Sequence, residues 1–96
     1  MKNIINQLFE IEAKLNGDTA KSVQRNFERL YHELQQMGYK VVNPLGQKYD
    51  ERDISIEANV LTNSNNTKIV KVLKPAIYQK IDETYTLVQK AIVIAE

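Results

Sequence analysis

Residues 20–38, Ala-Lys-Ser-Val-Gln-Arg-Asn-Phe-Glu-Arg-Leu-Tyr-His-Glu-Leu-Gln-Gln-Met-Gly, carry the clearest periodic signal in the chain and decide its fold class. Ala20, Val23, Phe27, Leu30, Leu34 and Met37 recur at 3-4-3-4-3 spacing, the seam of a heptad helix, with Lys, Ser, Gln, Arg, Asn, Glu and His between them. At 1.5 Å per residue the seam runs for roughly 27 Å. Tyr31 adds a ring beside it, and Gly38 ends it.

Upstream, Ile4, Leu8, Ile11 and Leu15 form a second amphipathic stripe that Ile5 and Phe9 widen. Asn16-Gly17 stops this helix, with Gly17 suited to the left-handed conformation that closes a last turn, and Asp18 or Thr19 placed to cap the next one. Residues 1–38 therefore read as a helical hairpin. Two helices packed together cover only part of such stripes, and a soluble monomer rarely tolerates the remainder. Pairing of two hairpins into a dimeric four-helix bundle is expected, with Leu8, Ile11, Leu15, Val23, Phe27, Leu30 and Leu34 at the interface. The alternative is that the hairpin packs on its own β part.

Downstream of Gly38 the period falls to two. Residues 39–45 contain Val41-Val42 before the turn Asn43-Pro44-Leu45-Gly46, and Ile54, Ile56, Ala58 and Val60 alternate with Ser55, Glu57 and Asn59. Residues 62–66 have the composition of an exposed connection, so the strand at 54–60 is expected to form a hairpin with Ile69-Val70-Lys71-Val72-Leu73. Pro75 marks an edge, bend or strand start. Residues 76–81, a turn at Asp82-Glu83-Thr84 and residues 85–95 read as a second hairpin, and Ala91-Ile92-Val93-Ile94-Ala95, apolar on both faces, as its most buried part. The class is α+β: a helical hairpin in a dimeric bundle at 1–38, then a small all-β domain of short strands at 39–96.

Composition limits the chemistry. The 96 residues are 43% hydrophobic and 26% charged, enough for one modest core. No apolar run approaches the ~20 residues of a membrane-spanning helix, and the first residues lack the apolar stretch of a signal peptide, so a cytoplasmic address without membrane contact is expected. With no cysteine and His32 as the single histidine, catalytic and metal sites are not expected, and no cofactor is implied. His32 lies off the seam and reads as a solvated helix residue. Asp50, Glu51 and Asp53 lack the spacing of a calcium loop and read as a charged turn. A net charge of +1, with Lys68, Lys71, Lys74, Lys80 and Lys90 nearly balanced by Glu57, Asp82, Glu83 and Glu96, argues against nucleic acid as partner. No glycine-rich phosphate loop exists among Gly17, Gly38 and Gly46. What remains is a surface for protein contact.

The order of these parts resembles the GrpE nucleotide exchange factors. Residues 37–50, Met-Gly-Tyr-Lys-Val-Val-Asn-Pro-Leu-Gly-Gln-Lys-Tyr-Asp, are similar to that family's Gly-Val-x-x-Ile-x-Pro-x-Gly-x-x-Phe-Asp segment, and Glu57-Ala58 to its Glu-Ala pair. Residues 69–78 resemble its Val-x-x-Val-x-x-x-Gly-Tyr strand and 87–95 its closing Leu-Arg-Pro-Ala-x-Val-x-Val strand. The chain departs at residues 49–58, which are two residues longer than the family segment and lack its histidine, and at Gln89-Lys90-Ala91, which replaces Arg-Pro-Ala. Gln89 lacks an arginine's charge and two-pronged fork, for which Lys90 substitutes only in part. The family's long paired helix has no counterpart, as for a minimal member or a fragment. The resemblance implies a homodimeric co-chaperone that binds the ATPase domain of a DnaK-type chaperone and promotes ADP release. It implies a contact surface on the β domain around Pro44, Leu45, Tyr49, Asp50, Lys74, Pro75, Tyr78, Gln89 and Lys90. For Pro44 and Pro75 the competing reading is a turn or core position, and for Tyr49 and Tyr78 a core one. A dimeric interaction module of the same fold without exchange activity is the alternative function.

Overall fold

The computed structural model describes residues 1–62 and 66–96; the connection expected at 62–66 lies partly outside them, at 63–65. The chain is α+β. Helices α1 (Lys2–Lys14) and α2 (Gly17–Gln36) precede strands β1 (Tyr39–Val42), β2 (Ile56–Val60), β3 (Ile69–Lys74), β4 (Ala76–Ile81), β5 (Thr84–Gln89) and β6 (Ala91–Ala95). The strands form two three-stranded sheets, ordered β1-β4-β5 and β2-β6-β3.

The helix junction differs from the expected one. Leu15 leaves α1 in an extended conformation (φ −81°, ψ 142°), so no left-handed residue is needed to close it. Asn16 is the residue that precedes α2, with its carbonyl accepting from Ala20 N–H at 3.3 Å, and Gly17 (φ +61°) opens α2 instead of ending α1. Asp18 and Thr19 are consequently inside the helix and not its cap. At the other end Gly38 (φ +93°) terminates α2 as expected and its carbonyl takes the Lys80 N–H at 2.7 Å, tying the helix end to β4.

Strand register separates the two faces of the β1-β4-β5 sheet. Tyr39 and Val41 lie opposite Gln79 and Ile77, on the face that receives the helices, where Ile5, Leu34 and Ile77 form a buried cluster flanked by Leu8, Tyr31, Tyr39 and Val41. Val42, Ala76, Tyr78 and Leu87 look the other way, into a second cluster built on Ile69, Ala91 and Val93 of the β2-β6-β3 sheet. The β1-β4-β5 sheet is thus the middle layer, and the hairpin packs on its own β part through Ile77. Only the C-terminal part of α2 is seated this way, through Tyr31 and Leu34; the helix is about 30 Å long. The radius of gyration, 14.3 Å, exceeds the roughly 12.5 Å of a compact chain this size, in keeping with a helical pair that reaches past the sheets.

Two expected pairings are corrected. β2 and β3 do not form a hairpin; β6 lies between them, parallel to β2 and antiparallel to β3. The physical reason is that β6, buried at Ala91, Val93 and Ala95 and half-buried at Ile92 and Ile94, gains most from neighbours on both sides, whereas Glu57, Lys71 and Lys74 are tolerated on edges. Residues 85–95 are not one strand either. The chain leaves the first sheet after Gln89 and enters the second at Ala91, and the break at Lys90 carries no glycine or proline to announce it. Ile54, expected in a strand, precedes β2 and is 80% exposed. The β4–β5 turn has Asp82 and Glu83 as its two left-handed residues (φ 50° and 68°), a type I′ geometry that matches strand twist but costs non-glycine residues some strain.

Candidate functional site

The seam of α2 divides into two halves. Phe27 and Leu34, with half-buried Ala20, are taken up inside the chain, while Leu30 (42% exposed) and Met37 (59%) face outward along the line of half-buried Val23. On α1, Ile5 and Phe9 are the residues buried within one chain, Leu8 and Leu15 are half-buried, and Ile4 (59%) and Ile11 (50%) are exposed. With about 100° between successive helical residues, Ile4 and Ile11 lie nearly opposite Asn6 and Phe9, which meet the β part, and Leu30 and Met37 nearly opposite Glu28 and Gln35, which border β1. Of the interface residues read from the sequence, Phe27 and Leu34 belong to the chain's own core. Ile11 and Leu30, joined by Ile4 and Met37, form its free outer face.

Between the helices, Tyr31 Oη donates to Glu12 Oε1 at 2.9 Å. Burial of the ring, then the bond to Glu12 and its negative charge, raise the Tyr31 phenol far above its ordinary value near 10. In the unfolded chain the phenol ionises near that ordinary value, so the stabilisation is complete below about pH 10 and is lost as pH rises above it. Urea denaturation between pH 8 and 11.5 is therefore expected to show a steeper alkaline loss of stability for the native chain than for Tyr31→Phe, which at neutral pH costs about 0.5–1 kcal/mol.

Of the three places where the chain passes between the sheets, the long segment from β1 to β2 is one, and the other two are single-residue crossings, at Pro75 from β3 to β4 and at Lys90 from β5 to β6. The pairings Lys74 with Ile92 and Ile77 with Gln89 set these crossings side by side. Four of the expected contact residues, Lys74, Pro75, Gln89 and Lys90, are gathered here. Pro75 is fully buried. Gln89 Nε2 donates to the Pro75 carbonyl at 2.9 Å and to Asn6 Oδ1 at 2.8 Å, and Asn6 Nδ2 donates back to Gln89 Oε1 at 2.9 Å. This amide pair clamps α1 to the crossing. Gln89→Ala is expected to lower stability by about 1–2 kcal/mol in urea titration, because Asn6 then lacks its partner in a half-buried place. Lys74 and Lys90 are exposed.

The remaining expected contacts lie on the segment after β1. Pro44 is buried; Leu45, 55% exposed, follows a turn in which Asn43 Oδ1 accepts its N–H at 3.1 Å. Gly46 and Tyr49 donate backbone N–H groups to the carbonyls of Ile69 and Thr67, each at 2.9 Å, and so carry the segment along β3. Tyr49 and Tyr78 are half-buried against the inter-sheet core. Asp50 accepts from Arg52 N–H, Nε and Nη2, and these bonds hold its carboxyl below the usual range. Leu45 also borders a groove of about 420 Å³ between α1 and β3, with Phe9, Glu12, Ala13, Val70 and Lys71. The groove and the Asn6–Gln89 clamp were not readable from sequence, since both join segments far apart in the chain.

Among the described residues, no group of three or more His, Cys, Asp or Glu is placed to hold a metal, and no helix is long and apolar enough to cross a membrane. No protein-family model, curated protein or solved structure matches the chain.

Proposed function

We propose that the chain is a GrpE-like cytoplasmic co-chaperone that works as a homodimer, binds the ATPase domain of a DnaK-type chaperone and promotes ADP release. The observation that carries this reading is the helical hairpin seated on a small β part with an apolar outer face, Ile4, Ile11, Leu30 and Met37, left uncovered. A second hairpin covers that face and completes a four-helix bundle, because the exposed half of a heptad seam suits a like helix. The β part is the contact element, through exposed Leu45, Asp50, Lys74 and Lys90 and the edges of Tyr49 and Tyr78, with Pro44 and Pro75 shaping the backbone behind them.

Such a factor acts by preferring the open, nucleotide-poor conformation of its partner. By linkage, the free energy that weakens ADP binding also weakens the factor's binding to the ADP-loaded partner. Titration calorimetry against a DnaK-type ATPase domain tests this: the nucleotide-free domain is expected to bind at least tenfold more tightly than the ADP-bound one. Equal affinities remove the exchange reading. A second reading, a dimeric interaction module without exchange activity, is favoured by Gln89, whose amide is engaged by Asn6 and Pro75. It predicts no binding to either form.

A further inference from the structure

The two sheets present the edge strands β1 and β5, and β2 and β3. Edges are ready templates for another chain unless charge, irregularity or cover protects them. β1 is four residues long and contains Lys40, and β2 contains Glu57. β3 contains Lys71 and Lys74, has register shifts, and is bonded along its first part by the segment containing Gly46 and Gln47. β5 has one register shift, at Val88 near its far end, and is regular from Thr84 to Leu87. It reads Thr-Tyr-Thr-Leu-Val-Gln, with no charge, no proline and no glycine, and every residue from Thr84 to Thr86 is exposed.

The two-residue turn at Asp82-Glu83 fixes which main-chain groups are free. Thr84 and Thr86 sit opposite Ile81 and Gln79 as the hydrogen-bonded pairs of the hairpin, so the N–H and C=O groups of Tyr85 and Leu87 point away from β4. Among the described residues, no backbone bond outside the strand ladders involves Tyr85 or Leu87.

We propose that β5 pairs antiparallel with β5 of a second copy of this chain, about a two-fold axis at Thr86. The occupant follows from self-complementarity. With Thr86 facing its own symmetry mate, Tyr85 and Leu87 of one copy exchange main-chain bonds with Leu87 and Tyr85 of the other, and an aromatic side chain meets a branched aliphatic one. Thr84 meets Val88. This interface is separate from the helical face. Homodimers formed through the helical face are then joined through β5, as a closed four-chain assembly or a chain of dimers.

The test isolates the edge by closing the helical face with Leu30→Glu. Sedimentation velocity at roughly 0.3 mM is expected to give two chains for L30E and one for L30E/T86K, with association about tenfold or more weaker, because like charges then face each other across the axis. An equimolar mixture of L30E/T86K and L30E/T86E is expected to recover two chains, since lysine now faces glutamate, an outcome that general destabilisation does not produce. Circular dichroism monitors the fold, and Thr84→Lys replaces Thr86→Lys if that variant misfolds. L30E sedimenting as one chain, or a mixture that does not recover, overturns the proposal. T86K alone still sedimenting as two chains in that case leaves the helical pairing intact, so the two interfaces fail separately.

Discussion

Replacing Ile77 with alanine is expected to lower the free energy of unfolding by about 3–4 kcal/mol, the largest loss of any single truncation in this chain. Ile77 is 0% exposed and lies on the middle strand of the middle layer, where it is the β residue around which Ile5 and Leu34 close. Its removal leaves a cavity where three elements meet and none can collapse without disturbing a strand ladder. A chain of this size has roughly 5–14 kcal/mol in total, so the change consumes a large part of it. Urea titration checks the magnitude, and amide exchange checks the mechanism: α1 and α2 are expected to lose protection before β6 does. Ile54→Ala, at a position 80% exposed, is the matched control and is expected to stay within about 0.5 kcal/mol.

Leu30→Glu is expected to abolish pairing through the helical face while leaving the fold of each chain in place. Leu30 is already 42% exposed within one chain, so a glutamate there remains solvated in the monomer. Across a bundle it would be buried against the second hairpin and without a partner, which costs several kcal/mol per dimer. With β5 closed by Thr86→Lys, sedimentation equilibrium is expected to give twice the chain mass for T86K and the 11.1 kDa of one chain for L30E/T86K. Leu34→Glu is no substitute for this test, because Leu34 is 6% exposed inside the chain's own core.

What the sequence discloses and what it hides divides along the range of the interactions. The heptad from Ala20 to Met37 and its termination at Gly38 are local properties, and the structure has both. The two apolar faces of residues 91–95 mark a strand flanked on each side, and β6 is that strand. Periodicity does not tell which half of a seam is used by the chain itself. Leu34 turns inward because Ile77 lies beneath it, a fact settled some forty residues later in the chain, while Ala20 and Phe27 border Glu12 and Leu15. Nearness in sequence favours a β2–β3 hairpin, whereas the charges of Glu57, Lys71 and Lys74 suit edges, and β6 lies between the two strands. The break at Lys90 has no turn residue, and Gln89, expected from the resemblance as a surface contact, is held by Asn6 from the other end of the chain.

The proposed function reduces to one rate. Release of fluorescently labelled ADP from a DnaK-type chaperone is followed with and without saturating protein, using L30E/T86K as the single-chain comparison. Release at least tenfold faster is expected with the native chain, and a weaker acceleration with the single-chain variant. A release rate unchanged by saturating native protein contradicts the proposed function.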